Sequence, residues 1–537
     1  MELITSEKKL NELAAKADEY ILNKNNEQLS ELVEELIAED NKFEDKYCNA
    51  YYFYIIANCY AALYQRKDRD WYSDELMKSV LYYRKALYEF DIAKKKIDYF
   101  DRYESYKELE SNILTNLANQ LSSQGRALCC ISLYDRAIEL NGKTEALIAK
   151  ARNQLYLANS LYDDGHRYYH HYIAYNLILE ASVDIDKLYP EQRIDIEENG
   201  NLYNFKNLFE SNFDKSSFNY FKKYKHDFSS KKEQQYLKWC GENKLFINDL
   251  NDICNHEIVY TDILTLPPFR QKINELLSLR EELVYHGNFD EIKSDYCYAR
   301  YLIFTAQNIP EDTPHFFNST YPHVDDFSYS IDNLKTAHYK SAFRILYSLF
   351  DKIAYFLSRF LNLNGNNDDR NISFNNLFKH INNESSSKTQ KPNEKIKDSN
   401  NPYIHALFYI LKDFRDTNGS ESIAKWIDPD AEAFTEIRNR LEHRSLKIVD
   451  DMGYDLALQG GYSQLTDDIR KIEEKNKLSS HSLLIPISQF ESRLITLIKL
   501  VRNSIIYLPL LVEFEERGAL EDEGELILSR VVPLKKS

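Results

Sequence analysis

Two nine-residue segments, LANQLSSQG (Leu117 to Gly125) and LANSLYDDG (Leu157 to Gly165), share the pattern Leu-Ala-Asn-x-Leu-x-x-x-Gly at a spacing of 40 residues. Recurrence at a fixed spacing means that one supersecondary unit is used repeatedly, each copy burying its apolar face against the next. A third, degenerate copy starts at Ala57-Asn58. The unit must be helical, because breakers are scarce: 13 glycines and 12 prolines in 537 residues. With 41 Tyr and 28 Phe against 3 Met and 3 Trp, aromatic rings must fill much of the helix–helix packing. The expected fold class is all-α.

Downstream of Leu117-Ala118 come Leu121, Cys130, Tyr134 and Ala137, placing small and aromatic residues where paired helices approach closely. This order resembles the tetratricopeptide repeat (TPR), with Ala118 and Ala137 at two small positions and Tyr134 at the aromatic one. YRKAL (Tyr83 to Leu87) repeats the second-helix pattern. The spacing exceeds the ~34 residues usual in that repeat, so a turn or helix is lengthened. An irregular helical bundle would account for the same residues. Residues 1–185 are read as TPR-like helical repeats, which on either account offer a curved surface to a protein or peptide partner.

From 186 to 330 the periodicity weakens, and loops and short helices are expected to cap the array and connect it onward. From 331 to 537 four strong helical segments point to a helical bundle. In the first, Phe343, Leu346, Leu349, Phe350, Ile353, Phe356, Leu357 and Phe360 keep i, i+3, i+4, i+7 spacing. Asn401-Pro402 and Asp428-Pro429 read as helix starts. The segment from Ser482 to Phe514 supplies the last helical pair, with Pro486 near its start. Between the first two segments, Asn382 to Asn401 is polar and lysine-bearing and is read as a mobile, solvated insertion.

The net charge is −17, so the body repels RNA at long range and is no bulk polyanion binder. A gated site with a local basic pocket remains compatible with that charge. Seven cysteines without a CxxC pair, and an N-terminal segment without an apolar stretch, predict reduced thiols in the cytoplasm. The most apolar window carries Lys499, Arg502 and Asn503, so no membrane partner is expected. No Gly-x-x-x-x-Gly-Lys is present, which argues against a P-loop ATPase.

The chemistry-bearing residues concentrate in EIRNRLEHRSLK, where Arg438, Asn439 and His443 fall on one short helical stretch. A guanidinium can hold charge on phosphate and an imidazole can move protons near neutral pH. Asn439 and His443 are i, i+4 neighbours, whereas Arg438 lies about 140° from His443 around the axis and must reach by its length. Arg440, Arg444 and Lys447 form a second, basic stripe suited to flanking phosphates. Asp351, a carboxylate on a largely apolar segment, either braces Arg438 or pairs with Lys352 or Lys340. Taken alone, the hexapeptide reads as a solvated helix with an Arg438–Glu442 ion pair.

The flanking sequence reverses that. Arg, a polar residue, three residues and His, together with FDKIAYFL, ISFNNLF, KWIDPDA, KWC…LFINDLND and YARYLIF, resemble the HEPN superfamily. The likeness is to a large TPR-associated HEPN subgroup and runs from about Tyr236 to the last helix. It implies a metal-independent endoribonuclease without cofactor, acting on tRNA or mRNA, with the site completed across a homodimer or higher even oligomer. His443 would serve as general base or acid, Arg438 would stabilise the phosphorane, and Asn439 would orient it, leaving a 2′,3′-cyclic phosphate. Toxin–antitoxin or anti-phage defence is the setting the resemblance implies. The alternative is a non-catalytic TPR–HEPN scaffold.

Two other clusters carry less. In REELVYHGN, Gly287 is expected to end the helix after His286. In HRYYHHY, His166 and His170 are i, i+4, but no completing carboxylate is legible, and aromatic packing within the array explains them.

Overall fold

The computed structural model describes residues 2–39, 43–66, 69–94, 103–188, 190–267, 271–272, 279–310, 315–322, 329–363, 372–373, 377, 394–415, 431–452, 454, 482–521 and 527–528. Most of the lysine-bearing insertion and the Asp428-Pro429 helix start lie outside these residues.

The fold is all-α, as expected. Helices α1 (Glu2–Leu22), α2 (Asn26–Glu39), α3 (Lys46–Arg66), α4 (Asp74–Ala93), α5 (Tyr103–Ser123), α6 (Ile131–Asn141), α7 (Thr144–Ser160) and α8 (Asp164–Val183) stack as pairs. The repeated Leu-Ala-Asn explains why. Ala118 and Ala137 are fully buried and let α5 and α6 come close. The Asn119 Oδ1 accepts the Tyr134 hydroxyl at 2.8 Å, and Asn58 accepts Tyr83 in the same way at 2.6 Å between α3 and α4. The two repeat glycines, by contrast, do different work. Gly125 takes φ +77°, where a Cβ would lie 1.9 Å from the Pro402 carbonyl oxygen. Gly165 sits in the first turn of α8.

On one side the array forms a groove of about 1490 Å³, lined by Tyr47, Tyr54, Asn58, Asn112 and Asn116, with Pro402 of the C-terminal part on its wall.

The connector holds α9 (Asn201–Asn212), α10 (Lys231–Glu242) and short 3-10 turns. His166 and His170 pack onto it through a carboxylate the sequence reading did not find: their Nδ1 and Nε2 meet the two Asp249 oxygens at 2.6 and 2.9 Å. Burial pushes the Asp249 carboxyl up, but the two imidazoles outweigh it and hold it below the ordinary range.

The expectation of short elements up to 330 fails at α11 (Leu279–Gln307), which is 29 residues long and runs through Gly287. Phe289, Ile292, Tyr296, Ala299 and Ile303 give it a continuous buried face. A glycine costs a helix interior only ~1 kcal/mol, so that face prevails. Beside it runs α12 (Leu334–Phe360), started by a capping box between Asn333 and Thr336. The apolar positions expected of α12 are buried from Phe343 to Leu357.

The longer helices that follow among the described residues are α13 (Pro402–Arg415), α14 (Ala431–His443) and α15 (Ile487–Glu521). Asn401 does start α13, its Oδ1 accepting the Tyr403 amide at 3.0 Å. The expected last pair is one continuous α15, with Pro509 inside it. Buried side chains from Ile505 to Leu508 and from Leu510 to Val512 outweigh the ~3 kcal/mol of an interior proline.

By length and composition α15 could cross a membrane, yet 72% of its most apolar window is buried inside this structure. Its apolar character is accounted for by the core. Arg502, 1% exposed, donates to the Phe246 and Asn248 carbonyls and to Asp252, which ties the connector to α15.

Two five-residue strands were not anticipated. β1 (Ser445–Val449) pairs in parallel with β2 (Ser482–Pro486), Leu446 opposite Leu483 and Ile448 opposite Ile485. Ile331 adds its amide to the Ile448 carbonyl at 2.8 Å.

Candidate functional site

Helix α14 is amphipathic: Phe434 and Ile437 are buried, Leu441 packs on the same core, and Asn439, Glu442 and His443 face solvent. It crosses α12, and that crossing positions Arg438. The guanidinium lies over the Tyr347 ring, 5.8 Å from its centroid, and its Nη1 donates to Asn439 Oδ1 at 3.2 Å. A guanidinium over a ring face gains electrostatically and is held in orientation.

His443 is the last residue of α14, and one residue later the chain enters β1. The turn carrying it is closed by the Arg444 amide bonding the Arg440 carbonyl at 3.2 Å. It is also gripped from α12, where Arg344 donates Nη2 to the Leu441 carbonyl at 2.8 Å and Nε to Glu442 at 3.0 Å. Glu442 is therefore the partner of Arg344 rather than of Arg438.

The helix end at His443 breaks the expected basic stripe. Arg440 remains on α14 near Glu436 at 3.7 Å, Arg444 is exposed in the link, and Lys447 belongs to β1. The apolar Leu446, Ile448 and Val449 favour a buried strand over another helical turn.

Asp351 lies one turn beyond Tyr347 on α12 and is half-buried. Lys352 turns the other way, to Glu291 and, at 2.7 Å, to Asp295 of α11. Lys340, one turn before Arg344, is held below the ordinary lysine value by burial, with Arg344 repelling its charge and Asp332 opposing the shift.

Arg344 and Tyr347 escaped the sequence reading. The signal that could have found them is the run Lys340, Arg344, Tyr347, Asp351 at i, i+4, i+7, i+11, a polar line along an otherwise apolar helix.

Among the described residues no group of three or more His, Cys, Asp or Glu is arranged to hold a metal ion.

A bundle of long helices presenting Arg, Asn and His on a short crossing helix is the arrangement that the resemblance to the HEPN superfamily leads one to expect. Residues 276–515, which take in α11 to α14, both strands and most of α15, match the LA2681-like HEPN family, which supports membership of the HEPN superfamily. The match begins at residue 276, within the stretch read from sequence as connector. No curated protein and no solved structure matches the chain. The family supports a coarse nuclease or RNA-related role.

Proposed function

We propose that this protein is a metal-independent endoribonuclease whose helical array senses a protein or peptide trigger. The observation that carries the reading is the anchoring of Arg438 over Tyr347 while Asn439 and His443 stay exposed on the same helix. In the proposed reaction His443 removes the proton from a ribose 2′-OH, and that oxygen attacks the adjacent phosphorus. Arg438 stabilises the charge that develops on the phosphorane. A second copy of His443, across a homodimer, protonates the departing 5′-oxygen. The products are a 2′,3′-cyclic phosphate and a 5′-hydroxyl. Arg440, Arg444 and Lys447 hold flanking phosphates of tRNA or mRNA.

The trigger would bind in the array's groove. Pro402, the first residue of α13, forms part of that groove's wall, so an occupant would touch the bundle directly. A cytoplasmic role in toxin–antitoxin or anti-phage defence agrees with an acidic body that discourages indiscriminate RNA binding.

The test is incubation of the purified protein with total tRNA in EDTA, with end-group analysis of the fragments. Cleavage retained in EDTA, and lost in Arg438→Ala and His443→Ala, is the expected result. Intact RNA from a folded dimer at high concentration would leave a non-catalytic scaffold instead.

A further inference from the structure

We infer that Arg344 and Tyr347 of α12 are positioning residues for the Arg438–His443 pair; the inference rests on the nuclease reading above. The two side chains sit three residues apart, on one face of α12, and each secures a different half of the motif. Tyr347, itself buried, supplies the ring face over which the Arg438 guanidinium lies. Arg344 secures the other half. Its two donors take the Leu441 carbonyl and the Glu442 carboxylate, fixing the last turn of α14 immediately before His443.

Arg344 and Glu442 are 48% and 42% exposed, so their ion pair contributes little to global stability. What it does is geometric. Arg438 and His443 lie about 140° apart on the helix, so neither fixes the other, and their relative placement is inherited from α12. One rigid helix holding both groups is the arrangement a site needs when an ångström of misplacement costs ~100-fold in rate.

The experiment joins amide hydrogen exchange with cleavage kinetics on the full-length protein. Arg344→Ala should raise exchange at the Arg444 amide, which closes the last turn, while leaving the rest of α14 and the melting temperature near wild type. The same variant should lower kcat by ~10–100-fold with little change in KM. Arg344→Lys keeps one donor and should recover part of both effects. Tyr347→Phe keeps the ring and should match wild type. Tyr347→Leu removes the ring face and should lower kcat without altering Arg444 exchange. Lys352→Ala, on the same helix but facing α11, serves as control.

Wild-type exchange and kcat in Arg344→Ala, or a Tyr347→Leu enzyme as fast as wild type, would overturn the inference. Should the wild type itself cut no RNA, the nuclease reading falls, and exchange at Arg444 still decides whether Arg344 holds the turn.

Discussion

Arg84 of the second helix pair meets Asp413 of α13, 329 residues later, through two parallel hydrogen bonds of 2.9 and 3.0 Å. Arg126 adds a third at 2.5 Å, and both Arg126 and Asp413 are under 5% exposed. This carboxylate joins the array to the bundle in a buried seam. Trp71 extends the seam: it stacks on His405 at 4.0 Å, and its carbonyl accepts from Tyr409. Tyr507 of α15 joins it too, its hydroxyl accepting the Leu128 amide N–H at 3.1 Å.

Removing Asp413 strands two guanidinium groups, one of them fully enclosed. Asp413→Ala is expected to destabilise by ~3–5 kcal/mol in urea unfolding. An all-apolar replacement, Arg84→Met with Arg126→Met and Asp413→Leu, should recover most of that, since buried ion pairs gain little over well-packed hydrophobes. Burial pushes the Asp413 carboxyl up, but Arg126 and Arg84 outweigh it and hold it below its ordinary 3.8. Its contribution is therefore present above pH 3.8 and is lost as the pH falls below that value. A triple variant no more stable than Asp413→Ala would contradict this account.

Two glycines give opposite predictions. At Gly125 the positive φ and the 1.9 Å approach of a Cβ to the Pro402 carbonyl oxygen leave no room, so Gly125→Ala must shift the array away from α13. A loss of at least ~2 kcal/mol is expected. At Gly287, in the middle of α11, a Cβ meets nothing within 4 Å, and Gly287→Ala should stabilise by ~0.5–1 kcal/mol. Thermal melts of the two single variants suffice, and shifts of the same sign would refute the pairing.

His405 predicts an acid limb. Burial beside Trp71 pushes its imidazole down to about 4, although the Ser399 carbonyl, 2.7 Å from Nε2, favours the protonated form. The unfolded chain binds this proton from pH 6.5 downward and the folded chain does not until about 4. Stability should therefore fall as the pH drops through that window, by ~3 kcal/mol at most. His405→Phe keeps the stacking and should flatten the limb in pH-dependent unfolding. An unchanged slope would exclude His405 as its source.

How much of this was legible follows from how far each signal travels along the chain. Ala118, Tyr134 and Ala137 were readable because a repeat prints its close approaches at fixed offsets. Arg438, Asn439 and His443 were readable because they crowd into six residues. What they rest on was not. Arg344 reaches Glu442 across 98 residues, and no local period announces such a pairing. Gly287 misled because a breaker carries a fixed local cost, whereas the buried face that overrides it extends from Phe289 to Ile303. The segment SLKIV misled because five residues are too few to separate a strand from a helical turn. Asp249 was missed as the partner of His166 and His170 because it lies about 80 residues downstream, in another element.

The last prediction concerns RNA binding without cleavage. If Arg444 and Lys447 hold phosphates beside His443, each contributes counterion release and not sequence recognition. Arg444→Ala and Lys447→Ala, made in a His443→Ala background so that the RNA survives, should weaken binding alike for unrelated RNA sequences. Each should also reduce the slope of log affinity against log salt by ~1. Arg440, already near Glu436 at 3.7 Å, should contribute less than the exposed Arg444. Fluorescence anisotropy at several salt concentrations measures all three. A salt slope untouched by Arg444→Ala would place the RNA path on another face of α14.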